Sequence, residues 1–273
     1  MGAPAPAIQG VSPLRQILRG SGTIVDKALR GLTTVNLRSL RFSSAPLLLR
    51  DYLRDLETVY HSYAYAPLEP VEMPELVGKD LSPSLFLPLG YIRPGSTPLP
   101  DLAAMAALTQ KKRPKQIFEI GTFEGLTATV FIKNAGSDAF LHTLDLPPGR
   151  NDIPRTKRSY EAHSISAPYV SGFLIDAFGI RQQVQAHWGD SAVFDFQPYR
   201  NAIDLFFVDG AHTEDYVALD SSRAFECQAS EGWVLWHDCF TPQVMKVLKQ
   251  IAQTKKIYQI RGTNLALAMG ESG

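Results

Sequence analysis

Two apolar stretches near the C-terminus, KIYQI (256–260) and LALAMG (265–270), are separated only by RGTN. Four residues cannot carry a chain through a parallel crossover, so these strands must pair as an antiparallel hairpin. Upstream the pattern is the reverse. From Lys115 onward, strand-like apolar runs alternate with segments of helical spacing. The strands are QIFEI (116–120), FLHTLDL (140–146), QQVQAHWG (182–189), AIDLFFVDG (202–210) and GWVLWHDC (232–239). Helices are expected over 125–134, within 155–179, and over 212–229 and 244–253. Several strands are apolar on both faces, which requires a sheet covered on both sides. The expected fold is α/β, a Rossmann-like, mostly parallel sheet of seven strands ending in an antiparallel hairpin.

An N-terminal extension precedes this domain, which is taken as 101–273, with DLAAMAALTQ (101–110) as its first helix and Asp101 near the helix start. Residues 45–65 have helical spacing and offer a contact for a homo-oligomer. A connector over 67–100 holds eight prolines and cannot be one regular element; it is read as a wrap or lid. Residues 1–44 are rich in Gly, Ser, Ala and Arg, with short basic helices expected over 13–18 and 24–32. The first 50 residues carry seven cations and one anion, so the rest of a net-neutral chain is acidic. Such an arm fits a solvated tail, an organelle transit peptide, or a basic segment resting on an anionic membrane surface.

No apolar run approaches the roughly 18 residues needed to span a bilayer, and no secretory signal is evident, so a cytoplasmic location is expected. Cys227 and Cys239 form no close-spaced motif and read as reduced thiols. Neutral net charge gives no field that would gather nucleic acid, and strand four lacks an Asn/Asp-Pro-Pro-Tyr-like base-binding sequence.

The first strand of the domain runs into a glycine turn, Glu119-Ile-Gly121-Thr122-Phe123-Glu-Gly125. In a doubly wound sheet, ligands sit beyond the carboxyl ends of the strands, where strand order reverses. A dinucleotide site wants G-x-G-x-x-G, leaving bare backbone beside the pyrophosphate. Here Phe123 occupies the place of the second glycine and the third is displaced. A phosphate-free nucleoside such as S-adenosylmethionine tolerates that side chain. Glu119 is suited to accept hydrogen bonds from the amino-acid portion of such a cofactor, directly or through water. Asp145, 24 residues after Gly121, ends the second strand and is suited to both ribose hydroxyls. Asp190, in Gly-Asp-Ser191 after the third strand, is suited to the adenine amino group, with Ser191 assisting. Each acid alone has a plainer reading as a helix cap or loop residue; the ordered set carries the assignment.

With these residues the chain resembles the class I methyltransferases, and more narrowly the bacterial macrocin O-methyltransferase group. The matching segments are FEIGTFEGLTA (118–128), TLDLPP (143–148), GDS (189–191), FFVDGAHTEDY (206–216) and GWVLWHDC (232–239).

Methyl transfer requires a nucleophile aligned with the methyl group and relieved of its proton. Asp209 and Asp238 end the fourth and fifth strands and should face one crevice. Two carboxylates there repel unless a cation or proton lies between them, and Mg²⁺ would satisfy them. The likeness to catechol and caffeoyl-CoA O-methyltransferases implies the same, since one Asp follows strand four and an Asp-Asn pair follows strand five in those enzymes. Cys239 stands in place of that Asn and is a poor ligand for a hard ion. His237 is an alternative third ligand better suited to Mn²⁺, Fe²⁺ or Zn²⁺, or else it orients Asp238 from behind. His212 matches the family's catalytic lysine and is a candidate base, with capping of the next helix as the plainer role. Tyr216 and Trp236 read as packing residues, and His142 and His163 as surface or packing residues. The implied activity is O-methylation of a hydroxylated small molecule of sugar or secondary-metabolite type. A nicotinamide-dependent oxidoreductase and a non-methylating binding relative are the alternatives.

Overall fold

The computed structural model describes residues 68–78, 84–92, 96–147 and 170–270. Expectations for the basic arm, the helix over 45–65, His163 and the tip of the 147–180 insertion lie outside these residues. Among the described residues, eight strands form one sheet: β1 (Glu69–Val71), β2 (Gln116–Ile120), β3 (Phe140–Asp145), β4 (Val184–Trp188), β5 (Ile203–Val208), β6 (Gln228–Trp236), β7 (Tyr258–Ile260) and β8 (Ala266–Met269). Their order is β1-β7-β8-β6-β5-β2-β3-β4. Only β8 runs against the others, pairing antiparallel with both β6 and β7. The hairpin required by the four-residue RGTN link is therefore present.

Seven strands were expected and the eighth is β1, which adds parallel to β7 at the sheet edge. It is three residues long and contains Pro70, which lacks an N–H and is tolerated only where one ladder side is unpaired. No periodicity can declare so short an edge strand.

Six α-helices are described: α1 (Met73–Val77), α2 (Leu99–Lys112), α3 (Leu126–Asn134), α4 (Phe173–Ala177), α5 (Glu214–Cys227) and α6 (Pro242–Ile251). Glu214 and Asp215 place negative charge in the first turn of α5, and Pro242 opens α6 where a missing N–H costs nothing. Of the segment 155–179, expected to be mostly helical, only 170–179 is among the described residues, and it contains α4.

Alternation along the strands divides the core into two layers. Ile117, Leu205 and Phe207 pack with Leu102, Met105 and Phe131 on the α2/α3 face. Phe118, Phe206 and Val208 pack with Val217, Val244 and Leu248 on the α5/α6 face. Both faces of β5 are thus buried, which its IDLFFV sequence, apolar except for Asp204, demands.

Strand order reverses at β2, whose neighbours are β3 on one side and β5 on the other. There the hydrogen-bond ladder continues one step past the strands. Gly121 N–H donates to the Leu144 carbonyl at 2.9 Å, Asp209 N–H to Ile120 at 3.0 Å, and His237 N–H to Val208 at 3.1 Å. Gly189 N–H donates to Asp145 at 2.9 Å. Five strand ends are tied to one another before their loops diverge, so the side chains that follow start from fixed backbone.

Candidate active site

The glycine turn has two different reasons for its glycines. Gly121 has φ 102°, and a Cβ there would lie 2.1 Å from the Asp209 carbonyl oxygen. The close approach is to the β5 turn. Gly125 has φ 83°, and its absent side chain leaves room for Ile175 and Gly172 of the α4 turn. Between them Phe123 is also left-handed, with φ 45°, a conformation that costs a non-glycine residue about 1–2 kcal/mol. That geometry aims Phe123 N–H at Asp145 Oδ2, 2.9 Å away, while Leu146 N–H donates to Oδ1 at 2.7 Å. Burial raises the Asp145 pKa and these backbone donors counter it.

Glu119 lies beneath this turn. It is fully buried. Thr127 donates to its Oε1 and Thr143 to its Oε2, the latter at 2.7 Å. The Thr143 hydroxyl in turn meets Thr122 Oγ1 at 2.6 Å. Burial pushes the Glu119 pKa up to about 8, against those threonine bonds. A carboxyl raised in this way keeps its proton when folded at pH values where the unfolded chain has lost it. Stability from this group is therefore greatest in acid and declines as pH rises toward 8. Glu119→Gln is expected to stabilise the protein relative to wild type more at pH 9 than at pH 5, by on the order of a few kcal/mol. Denaturant melts at the two pH values check it; an equal difference at both would contradict the ionisation assigned to Glu119.

Asp190 accepts from Ala192 N–H at 2.9 Å through Oδ1, closing a turn after β4 where no helix follows directly. Its Oδ2 accepts from the Tyr216 hydroxyl at 2.9 Å. Tyr216 was expected only to pack; it ties α5 to the Gly-Asp turn, and burial with this bond pushes its phenol to about 12. Ser191 is buried beside Asp220, whose pKa burial raises to about 6. Trp236 does pack, fully buried with its indole N–H on Ser221 Oγ. His142 packs as well, Nδ1 3.2 Å from His187 Nε2, and burial lowers it to about 4.

Beyond the turn, three side chains converge. Asp209, His212 and Asp238 each offer one ligand atom, all within 4.8 Å of one another. His212 Nε2 lies 3.4 Å from Asp238 Oδ2 and 3.8 Å from Asp209 Oδ1. Burial raises Asp209's pKa although His237 pulls it down, and burial lowers that of His212 although Asp238 pulls it up. A neutral imidazole between two carboxylates can take a proton or a metal ion.

Residues 118–239, a little under half of the chain, match the family model described as "Methyltransferase domain". This stretch is a methyltransferase domain. No curated protein is matched by the sequence. Solved structures of similar fold include the SAH-bound methyltransferase PaMTH1 of Podospora anserina, at 13% identity and TM-score 0.48 over 66% of this chain and 81% of that one. An O-methyltransferase of Bacillus cereus in complex with SAH has 14% identity and TM-score 0.47, over 80% and 91%. The O-methyltransferase TomG of Streptomyces achromogenes has 16% identity and TM-score 0.45, over 79% and 96%.

The methyltransferase domain places His237 differently from one of its two expected roles. Its Nε2 lies 2.9 Å from Asp101 Oδ2 and its Nδ1 3.2 Å from Asp209 Oδ1. With a carboxylate at each ring nitrogen, His237 donates on both sides and stands behind the cluster. Burial opposes its charge, but Asp238, Asp209 and Asp101 outweigh that and hold its pKa well above the usual histidine value. Cys239 follows Asp238 directly. Its thiol is buried, and the amide beside Asp238 comes from Asn264, whose Nδ2 donates to Asp238 Oδ1. Asp101 and Asn264 were not singled out as site residues in the sequence. Both lie outside residues 118–239, and no local spacing connects them to the domain's motifs.

Proposed function

We propose that the protein is an S-adenosylmethionine-dependent O-methyltransferase acting on a hydroxylated small molecule, with a divalent cation held at Asp209 and Asp238. The observation that carries this reading is one continuous edge of the sheet. It presents first the acids and bare backbone suited to a nucleoside, then the Asp209–His212–Asp238 cluster, all at the point where strand order reverses.

In this reading Asp190 accepts the adenine amino group and Asp145 both ribose hydroxyls. Gly121 and Thr122 form the floor, and Phe123 flanks the nucleoside where a pyrophosphate would need bare backbone. Glu119 acts from below, through Thr127, Thr143 and Thr122. Bound S-adenosylmethionine supplies a methyl group on a positively charged sulfur. A divalent cation, when bound, lowers the pKa of an acceptor hydroxyl. The donor set fits one, because Asp209, His212 and Asp238 each offer an oxygen or imidazole ligand atom within 4.8 Å of the others. His212 takes the acceptor's proton as the acceptor oxygen bonds to the methyl carbon and the carbon–sulfur pair leaves with sulfur.

Calorimetric titration with adenosylhomocysteine tests the cofactor assignment. Wild type is expected to bind, and Asp145→Ala to bind about 100-fold more weakly, since bonds to an ionised acceptor contribute about 1.5–3 kcal/mol each. Absence of heat from wild type would remove the cofactor; equal affinity in the variant would remove Asp145 from its site.

A further inference from the structure

Building on the proposed function, we infer that Asp101 and Asn264 are positioning residues that set how Asp209 and Asp238 face the gap they share with His212. A carboxylate at a strand end has no strong rotational preference of its own, because the torsion to an sp² carbon is broad. Something must hold it. For Asp209 the holder is His237, whose Nδ1 faces Asp209 Oδ1 at 3.2 Å. The ring is held by Asp101, only 1% exposed, through the 2.9 Å contact to Nε2. Asp101's other oxygen accepts from Asn264 N–H at 2.9 Å.

Asn264 then closes the circuit. Its side-chain amide donates to Asp238, its Oδ1 accepts from Phe240 N–H at 3.1 Å, and its carbonyl accepts from Cys239 N–H at 3.1 Å. These bonds bracket Asp238, whose own backbone is left-handed at φ 51°. A buried ion pair is a poor device for stability, since packed apolar residues of similar volume do as well or better. The Asp101–His237 pair is better explained by what it orients. Its two ends come from α2 and the β6 terminus, and Asn264 from the turn before β8, so the hairpin and the helix ahead of the glycine motif both complete the site.

The experiment uses the full-length protein, titrated calorimetrically with Mn²⁺ alone, with adenosylhomocysteine affinity as the control for folding. Asp101→Asn and Asn264→Ala are each expected to weaken Mn²⁺ binding about 10–100-fold. Adenosylhomocysteine affinity should stay within about twofold, the additivity limit for distant sites. In a His237→Gln background, Asp101→Asn should add less than about threefold, because its effect runs through the ring. Unchanged Mn²⁺ affinity in the single variants, or an equally large loss in the His237→Gln background, would overturn the inference. If wild type binds adenosylhomocysteine but no Mn²⁺, the metal part of the proposed function fails and this inference falls with it.

Discussion

Gly121→Ala is expected to lower the thermal unfolding midpoint by about 10 °C or more, corresponding to at least about 3 kcal/mol in a domain of this size. Two costs combine. At φ 102° the backbone lies where an L side chain is strained, by about 1–2 kcal/mol. The added Cβ would also sit 2.1 Å from the Asp209 carbonyl oxygen and 2.8 Å from its carbon, and overpacking of this kind costs about 1–3 kcal/mol or more. Neither partner can yield easily, because Gly121 N–H and Asp209 N–H are both committed to the ladder between strand ends. Gly189→Ala is the control. A Cβ there meets only Phe194 and Leu144 side chains at 3.8 and 3.9 Å, so its midpoint should stay close to wild type. Differential scanning calorimetry of the two variants decides the matter. Equal midpoints would mean that the β2 and β5 turns do not meet as described.

His212→Ala is expected to cut methyl transfer by about 10²–10⁴-fold, the usual contribution of a positioned base. The measurement uses labelled S-adenosylmethionine and whichever hydroxyl acceptor a panel of catechols and sugars identifies. Mn²⁺ affinity should change little, because Asp209 and Asp238 remain. That second readout separates the two things a neutral imidazole 3.4 Å from Asp238 can do. Loss of both transfer and metal affinity would make His212 a ligand and leave the base unassigned. Retention of full transfer would remove it from the chemistry.

The legible parts of this fold are those with a local signature. The β5 sequence IDLFFV has no polar alternation beyond Asp204, which says that both faces are covered. RGTN is too short for anything but a hairpin, and Glu119 to Gly125 announces a turn into a helix. The positions of Asp145, Asp190, Asp209 and Asp238 follow from strand ends alone, since a residue ending a parallel strand must emerge at the carboxyl edge of the sheet. What strand position cannot reveal is a partner. The bond from His237 to Asp101 spans 136 residues, and the one from Asp238 to Asn264 spans 26. Asn264 reads locally as one residue of a turn, and Asp101 as an acid at the start of a helix. Their role exists only after β8 has inserted beside β6 and α2 has packed on the sheet. His237 was ambiguous for the same reason: sequence places it at a strand end, while only the fold decides that its ring turns toward Asp101. Glu119, expected to serve the cofactor directly or through water, is enclosed by threonines, because the α3 helix begins close enough for Thr127 to reach it.

One groove is expected to run from Asp190 past Asp145 and Gly121 to the Asp209–His212–Asp238 cluster. A crystal grown with adenosylhomocysteine and Mn²⁺ tests it in a single difference map. Adenine is expected beside Asp190, ribose hydroxyls on Asp145, sulfur directed at the cluster, and an anomalous Mn²⁺ peak between Asp209 and Asp238. Nucleoside density anywhere else on the protein, or a metal peak away from those two carboxylates, would contradict it.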